Sequence, residues 1–96
     1  MNDLLPRWVE RVRSSLTAKG MVVTLVDGAE AGNCSVDIDC AEFVGTICYW
    51  PEHLFEFGFN DCKSGKEIVL ETRSLQTIDE LDAYFDELLR TKLSNR

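Results

Sequence analysis

The stretch Asn33-Cys34-Ser35-Val36-Asp37-Ile38-Asp39-Cys40 alternates without a slip. Cys34, Val36, Ile38 and Cys40 fall on one side of an extended chain, and Ser35, Asp37 and Asp39 on the other. Such a segment is a half-buried strand with an acidic outer face, and antiparallel sheets are the ones that leave a face in water. On its C-terminal side, residues 43–50 (Phe-Val-Gly-Thr-Ile-Cys-Tyr-Trp) form the next expected strand, stopped by Pro51. Residues 54–60 follow, with Phe55, Phe57 and Phe59 on one face and Leu54, Glu56 and Gly58 on the other. A hairpin turn, Asp61-Cys62-Lys63-Ser64-Gly65-Lys66, leads into a last strand over residues 67–72, with Ile68 and Leu70 inward. On the N-terminal side, residues 21–27 are apolar and β-branched and end at the turn signal Asp27-Gly28.

Helices flank these strands. Leu5, Trp8, Val9, Val12 and Leu16 recur at helical spacing, which predicts an amphipathic helix over residues 3–18 with Asp3 as N-cap. Lys19-Gly20 supplies its stop. Thr77-Ile78-Asp79-Glu80 fits a capping box, and Ile78, Leu81, Phe85, Leu88 and Leu89 carry a second helix to about residue 93. All strand-to-strand links are short, whereas a parallel crossover needs about a dozen residues or more. The expected fold is therefore α+β, in the order α-β-β-β-β-β-α, as a single domain over residues 1–96. It is an antiparallel meander sheet with the N- and C-terminal helices packed on one face. The acidic face is left to solvent.

The charge is placed unevenly. Between Lys19 and Lys63 there is no lysine or arginine, yet Asp27, Glu30, Asp37, Asp39, Glu42, Glu52, Glu56 and Asp61 all lie there. That block holds a formal −8 in a chain whose total is −7; outside it, ten basic residues face nine acidic ones. A purely solubilising surface mixes both signs. A fixed acidic sheet repels nucleic acid and anionic lipid and attracts basic protein surfaces. The N-terminus has charges through its apolar positions and no signal-peptide core, and no apolar run approaches a membrane span. The expectation is a cytoplasmic protein whose four cysteines are reduced thiols.

Other chemistry finds little support. Cys34, Cys40, Cys48 and Cys62 contain no Cys-x-x-Cys pair, and His53 is the single histidine, which argues against a zinc site. No basic neighbour in the sequence would stabilise a thiolate, so Cys34 and Cys40 read as small core residues. Asp37 and Asp39 stand about 7 Å apart on an open face that offers no pocket to desolvate them, unlike a general acid–base pair. Lys63-Ser64-Gly65-Lys66 lacks the order of a phosphate loop. Neither a catalytic residue, a cofactor nor a metal is expected. The expected partner-binding set is Asp37, Asp39, Trp50, Glu52 and Glu56, with Asp27, Glu30, Glu42 and Asp61. Trp50 has two possible settings, because both faces of its strand are apolar. If Thr46 faces out, Trp50 and Cys48 share the open face and Phe43, Ile47 and Tyr49 face the helices; the reverse register buries Trp50. The polarity of Thr46 favours the first.

Taken in order, several of these pieces resemble the TriTu family of bacterial immunity proteins. They are the tryptophan-bearing first helix ending at Gly20, the Ser-Val-Asp-Ile-Asp strand at 35–39, and Val-Gly-Thr-Ile-Cys-Tyr-Trp at 44–50. The turn and strand start at 61–68 and the closing Leu/Phe-rich helix complete the set. The chain departs from the pattern after Trp50, where Pro51-Glu52-His53 stands in place of an expected glycine. The resemblance implies a non-enzymatic antitoxin, encoded beside a polymorphic toxin such as the C-terminal domain of an Rhs protein delivered by type VI secretion. The toxin it implies is an ADP-ribosyltransferase that uses NAD to modify elongation factor Tu. The partner would then be a toxin domain with a basic surface, bound one-to-one by a monomer. The alternatives are an acidic secretion chaperone, a nucleic-acid mimic and, last, an unrecognised enzyme.

Overall fold

The computed structural model describes residues 4–27 and 34–93, with Asp27 by its backbone alone. Helix α1, Leu4–Ala18, buries Leu5, Trp8, Val9, Val12 and Leu16, the same periodic set that predicts it. The Asp3 cap lies outside the described residues. At the other end Gly20 takes φ +90°, and the amides of Gly20 and Met21 donate to the carbonyls of Thr17 and Leu16, both at 3.0 Å. That pair of bonds closes the helix with a left-handed residue, a conformation that costs glycine no Cβ clash.

Five strands follow: β1 (Val22–Asp27), β2 (Cys34–Asp39), β3 (Phe43–Trp50), β4 (Leu54–Asp61) and β5 (Glu67–Ser74). They lie side by side in chain order and pair antiparallel throughout, the expected meander. Val23, Val36, Ile38, Phe43, Ile47, Tyr49, Phe55, Phe57, Phe59 and Val69 bury their side chains on the helix side. Aromatic edges meet faces there, Phe43 on Phe59 at 5.8 Å and Tyr49 on Phe55 at 5.1 Å. Cys34 and Cys40 pack against this core without full burial. Gly45 belongs to the same face for a steric reason. A Cβ there would lie 2.3 Å from the Phe59 ring and 2.3 Å from the Gly58 carbonyl oxygen.

Helix α2, Ile78–Leu88, begins with the expected capping box: Thr77 accepts from the Glu80 amide, and Glu80 accepts from the Thr77 amide. It runs on as a π-helical turn, Leu89–Leu93, whose Leu89 and Leu93 are buried. The two helices meet through Trp8. Its ring sits edge-on to Phe85 at 5.3 Å, and its Nε1 donates to Asp82 Oδ1 at 3.1 Å. Cations collect on this side of the molecule. Arg11 pairs with Asp79 at 2.8 Å, Arg90 with Asp86 at 3.3 Å, and Lys92 with Glu71 at 3.0 Å. Glu71 also accepts from the Tyr84 hydroxyl. Arg13 donates to the Val23 carbonyl at 2.8 Å, covering part of the β1 edge.

One expectation is overturned. Leu70 points outward and is 60% exposed, while Val69 takes the core position. The cause is a bulge: Phe59 pairs with Val69 and Asn60 with Glu67, leaving Ile68 unpaired between them. An extra residue inverts the alternation beyond it. Ile68 still packs against the core. The strand also continues to Ser74, two residues past the expected end.

Candidate functional site

The sheet face away from the helices carries Val22, Thr24 and Val26 from β1 and Ser35, Asp37 and Asp39 from β2. From β3 come Val44, Thr46, Cys48 and Trp50, from β4 Leu54, Glu56, Gly58 and Asn60, and from β5 Leu70, Thr72 and Ser74. Their cross-strand pairing sets them in rows, such as Thr24, Asp37, Thr46, Gly58 and Leu70. Two properties set this face apart. Among the described residues, every large exposed hydrophobic side chain belongs to it: Val22, Val26, Val44, Trp50, Leu54 and Leu70. It also contains no lysine or arginine, and Asp37, Asp39 and Glu56 have no ion-pair partner among the described residues. Clustered exposed apolar side chains interleaved with unneutralised carboxylates mark a surface suited to a protein partner.

Thr46 faces outward and donates to Asp37 Oδ1 at 3.0 Å. The register is thus the one that opens Trp50, which is 42% exposed and donates from Nε1 to Glu56 Oε1 at 3.1 Å. Trp50 follows directly into the turn to β4, where Glu52 (φ 69°) and His53 (φ 61°) both adopt left-handed backbone. Such residues cost about 1–3 kcal/mol each when they are not glycine. The strain falls in the turn that joins β3 to β4, directly beside Trp50. His53 is half-buried, its ring edge-on to Tyr49 at 6.4 Å, and its carbonyl accepts from the Leu75 amide.

The expected site residues divide accordingly. Asp37, Asp39, Trp50 and Glu56 come together on the open face. Glu52 lies exposed in the turn beside Trp50. Glu42 lies in the turn at the opposite end of the sheet, where its carbonyl accepts from the Cys62 amide. Asp61 is also at that end, on the helix-side parity opposite Phe43. Its Oδ2 accepts from the amides of Lys63 and Ser64 and from the Ser64 hydroxyl, so this carboxylate shapes the β4–β5 turn. The backbone of Asp27 ends β1 at the Trp50 end of the sheet, its side chain lies outside what is described, and Glu30 falls outside the described residues. The apolar members Val22, Val26, Val44, Leu54 and Leu70 escape a search for charged or reactive groups. For Val44 and Leu54, alternation from Thr46 and Glu56 was a sufficient signal.

Burial pushes the Cys48 thiol up from its ordinary range, and the nearby carboxylates of Glu56 and Asp37 push it further. A thiol held protonated is a poor nucleophile. Iodoacetamide at mildly alkaline pH is therefore expected to label the exposed Cys62 well before Cys48, as followed by peptide mass mapping. Equal rates would contradict this electrostatic description. Among the described residues, no group of three or more His, Cys, Asp or Glu could hold a metal ion. No helix among them is long and apolar enough to cross a membrane.

The sequence model of a family described as Immunity protein TriTu matches residues 3–91, nearly the whole chain. The chain belongs to the TriTu immunity protein family. No curated protein matches it. Membership in this family makes toxin neutralisation the general function, and the match spans all five strands and α2, so it includes the whole open face.

Proposed function

We propose that the protein neutralises an antibacterial ADP-ribosyltransferase toxin directed at elongation factor Tu, by laying its open sheet face against a basic region of the toxin. It does so as a monomeric single domain in a one-to-one complex, in the cytoplasm, and without catalysis. The carrying observation is that, among the described residues, all the large exposed hydrophobics share one face with carboxylates that no cation neutralises. The apolar side chains supply contact area to be desolvated, and the carboxylates supply long-range attraction and orientation. A toxin cleft that holds the pyrophosphate of NAD is expected to contain basic residues, for which carboxylates compete. The identity of the toxin rests on the family resemblance. A nucleic-acid mimic is disfavoured because, among the described residues, every large exposed hydrophobic side chain lies on this same face, and a phosphate mimic needs no apolar contact area.

Co-expression with the C-terminal toxin domain encoded by the neighbouring upstream gene tests this. Growth rescue together with co-purification of a one-to-one complex is expected. Rescue with no physical complex would contradict a binding inhibitor.

A further inference from the structure

Gly58 lies mid-strand in β4, at the centre of the open face, and among the described residues neither backbone angle nor packing requires it to be glycine. Its φ is not left-handed; among the described residues that conformation falls to Gly20, Gly65, Glu52 and His53. Packing does not demand it either. A Cβ built on Gly58 would meet only Leu70 Cδ1, at 3.8 Å, an ordinary van der Waals contact. Gly45 on the opposite face, by contrast, is boxed in by Phe59. A strand-interior glycine forfeits backbone order and packing; apart from bulges such as the one beside it at Phe59/Asn60, a common reason to keep one is close approach by another group.

We propose that Gly58 floors a dimple that receives an arginine side chain of the bound toxin; the inference rests on the open face being the toxin-binding surface. The surroundings suit that side chain. Thr46 and Leu70 flank Gly58 across the neighbouring strands, with Glu56 two residues away on its own strand. Asp37 lies beyond Thr46 and is hydrogen-bonded to it at 3.0 Å. Leu70, 60% exposed, offers an apolar wall for the aliphatic stem. Glu56 and Asp37 give one oxygen each to Trp50 and Thr46, and a carboxylate has lone pairs for several donors. A planar guanidinium can engage two such carboxylates with directed hydrogen bonds, whereas an ammonium offers a single charge centre.

The test uses the full chain and the neighbouring toxin domain carrying a substitution that abolishes its activity. Gly58→Val fills the dimple with a strand-favouring side chain; Gly58→Ala fills it less and keeps the test usable should valine disturb folding. Both are expected to melt at or above the wild-type temperature. Affinity should fall about tenfold or more for Val and less for Ala, because overfilling a packed contact displaces its occupant. One toxin arginine, replaced by alanine, should cost affinity against the wild type and nothing further against Gly58→Val. If Gly58→Val binds at full affinity while Trp50→Ala binds weakly, the dimple assignment is wrong and the open-face assignment survives. If neither substitution changes affinity, the open face itself is not the binding surface. A scan that finds a lysine or an apolar residue coupled to Gly58 overturns the arginine.

Discussion

Trp50→Ala is expected to bind the toxin about 30- to 1,000-fold more weakly while melting at the wild-type temperature, because truncating an aromatic anchor costs about 2–4 kcal/mol of association. Trp50 is the one large aromatic on the open face, at the end of β3. It stands opposite Leu54, with Glu56 held to its indole nitrogen. In the free protein much of the ring meets water, so its removal uncovers little core. In the complex the same ring would be desolvated within a rim of carboxylates, where its apolar area counts most. Calorimetric titration beside a thermal melt separates the two effects. An early melt, or unchanged affinity, would refute the anchor.

Trp8→Ala should do the reverse. Trp8 is fully buried between α1 and α2, edge-on to Phe85, with its nitrogen bonded to Asp82. Removing so large a core side chain costs about 3–5 kcal/mol of stability. A shift of about 4–8 °C per kcal/mol for a domain of this size then makes a fall of more than about 10 °C the expected melt. Denaturant titration should show the same loss, with smaller loss for Trp8→Phe, which keeps ring contact but gives up the bond to Asp82. The folded fraction should bind the toxin normally, since Trp8 lies on the far side of the sheet. Wild-type stability in Trp8→Ala would mean that the helices do not pack as described.

The two tryptophans also show what could be read from sequence. Trp8 was legible because helical periodicity placed it among Leu5, Val9 and Val12. The β2 alternation was equally plain, since polar and apolar residues take strict turns there. In β3 both faces carry apolar side chains, and only the polarity of Thr46 pointed to the register that exposes Trp50. In β5 the run Ile68-Val69-Leu70 has no polar residue to mark a face, and the bulge that leaves Ile68 unpaired is a property of strand pairing, invisible to a pattern of two. Simple alternation from Ile68 therefore places Leu70 on the wrong side. Glycines pose a similar difficulty: Gly45 and Gly58 look alike in sequence, and only the packing of Phe59 shows that one is sterically required. The charged part of the candidate site could be read from the missing cations. Its apolar part could not be assembled until the strands were aligned.

A particular face, and not the overall acidity, is expected to engage the toxin. Association kinetics of two charge-matched double variants test it most directly. Asp37→Lys with Asp39→Lys reverses charge on the open face; Glu10→Lys with Glu87→Lys makes the same change at exposed helical positions. Both pairs should remain folded, as all four side chains are exposed. Electrostatic attraction between exposed charges is screened over about 8–10 Å at about 0.1–0.15 M salt, so proximity to the contact decides the effect. The sheet pair is expected to slow association sharply and to flatten its salt dependence, with the helix pair much closer to wild type. Equal slowing by both pairs, or association that ignores salt and the sheet pair alike, would contradict the account.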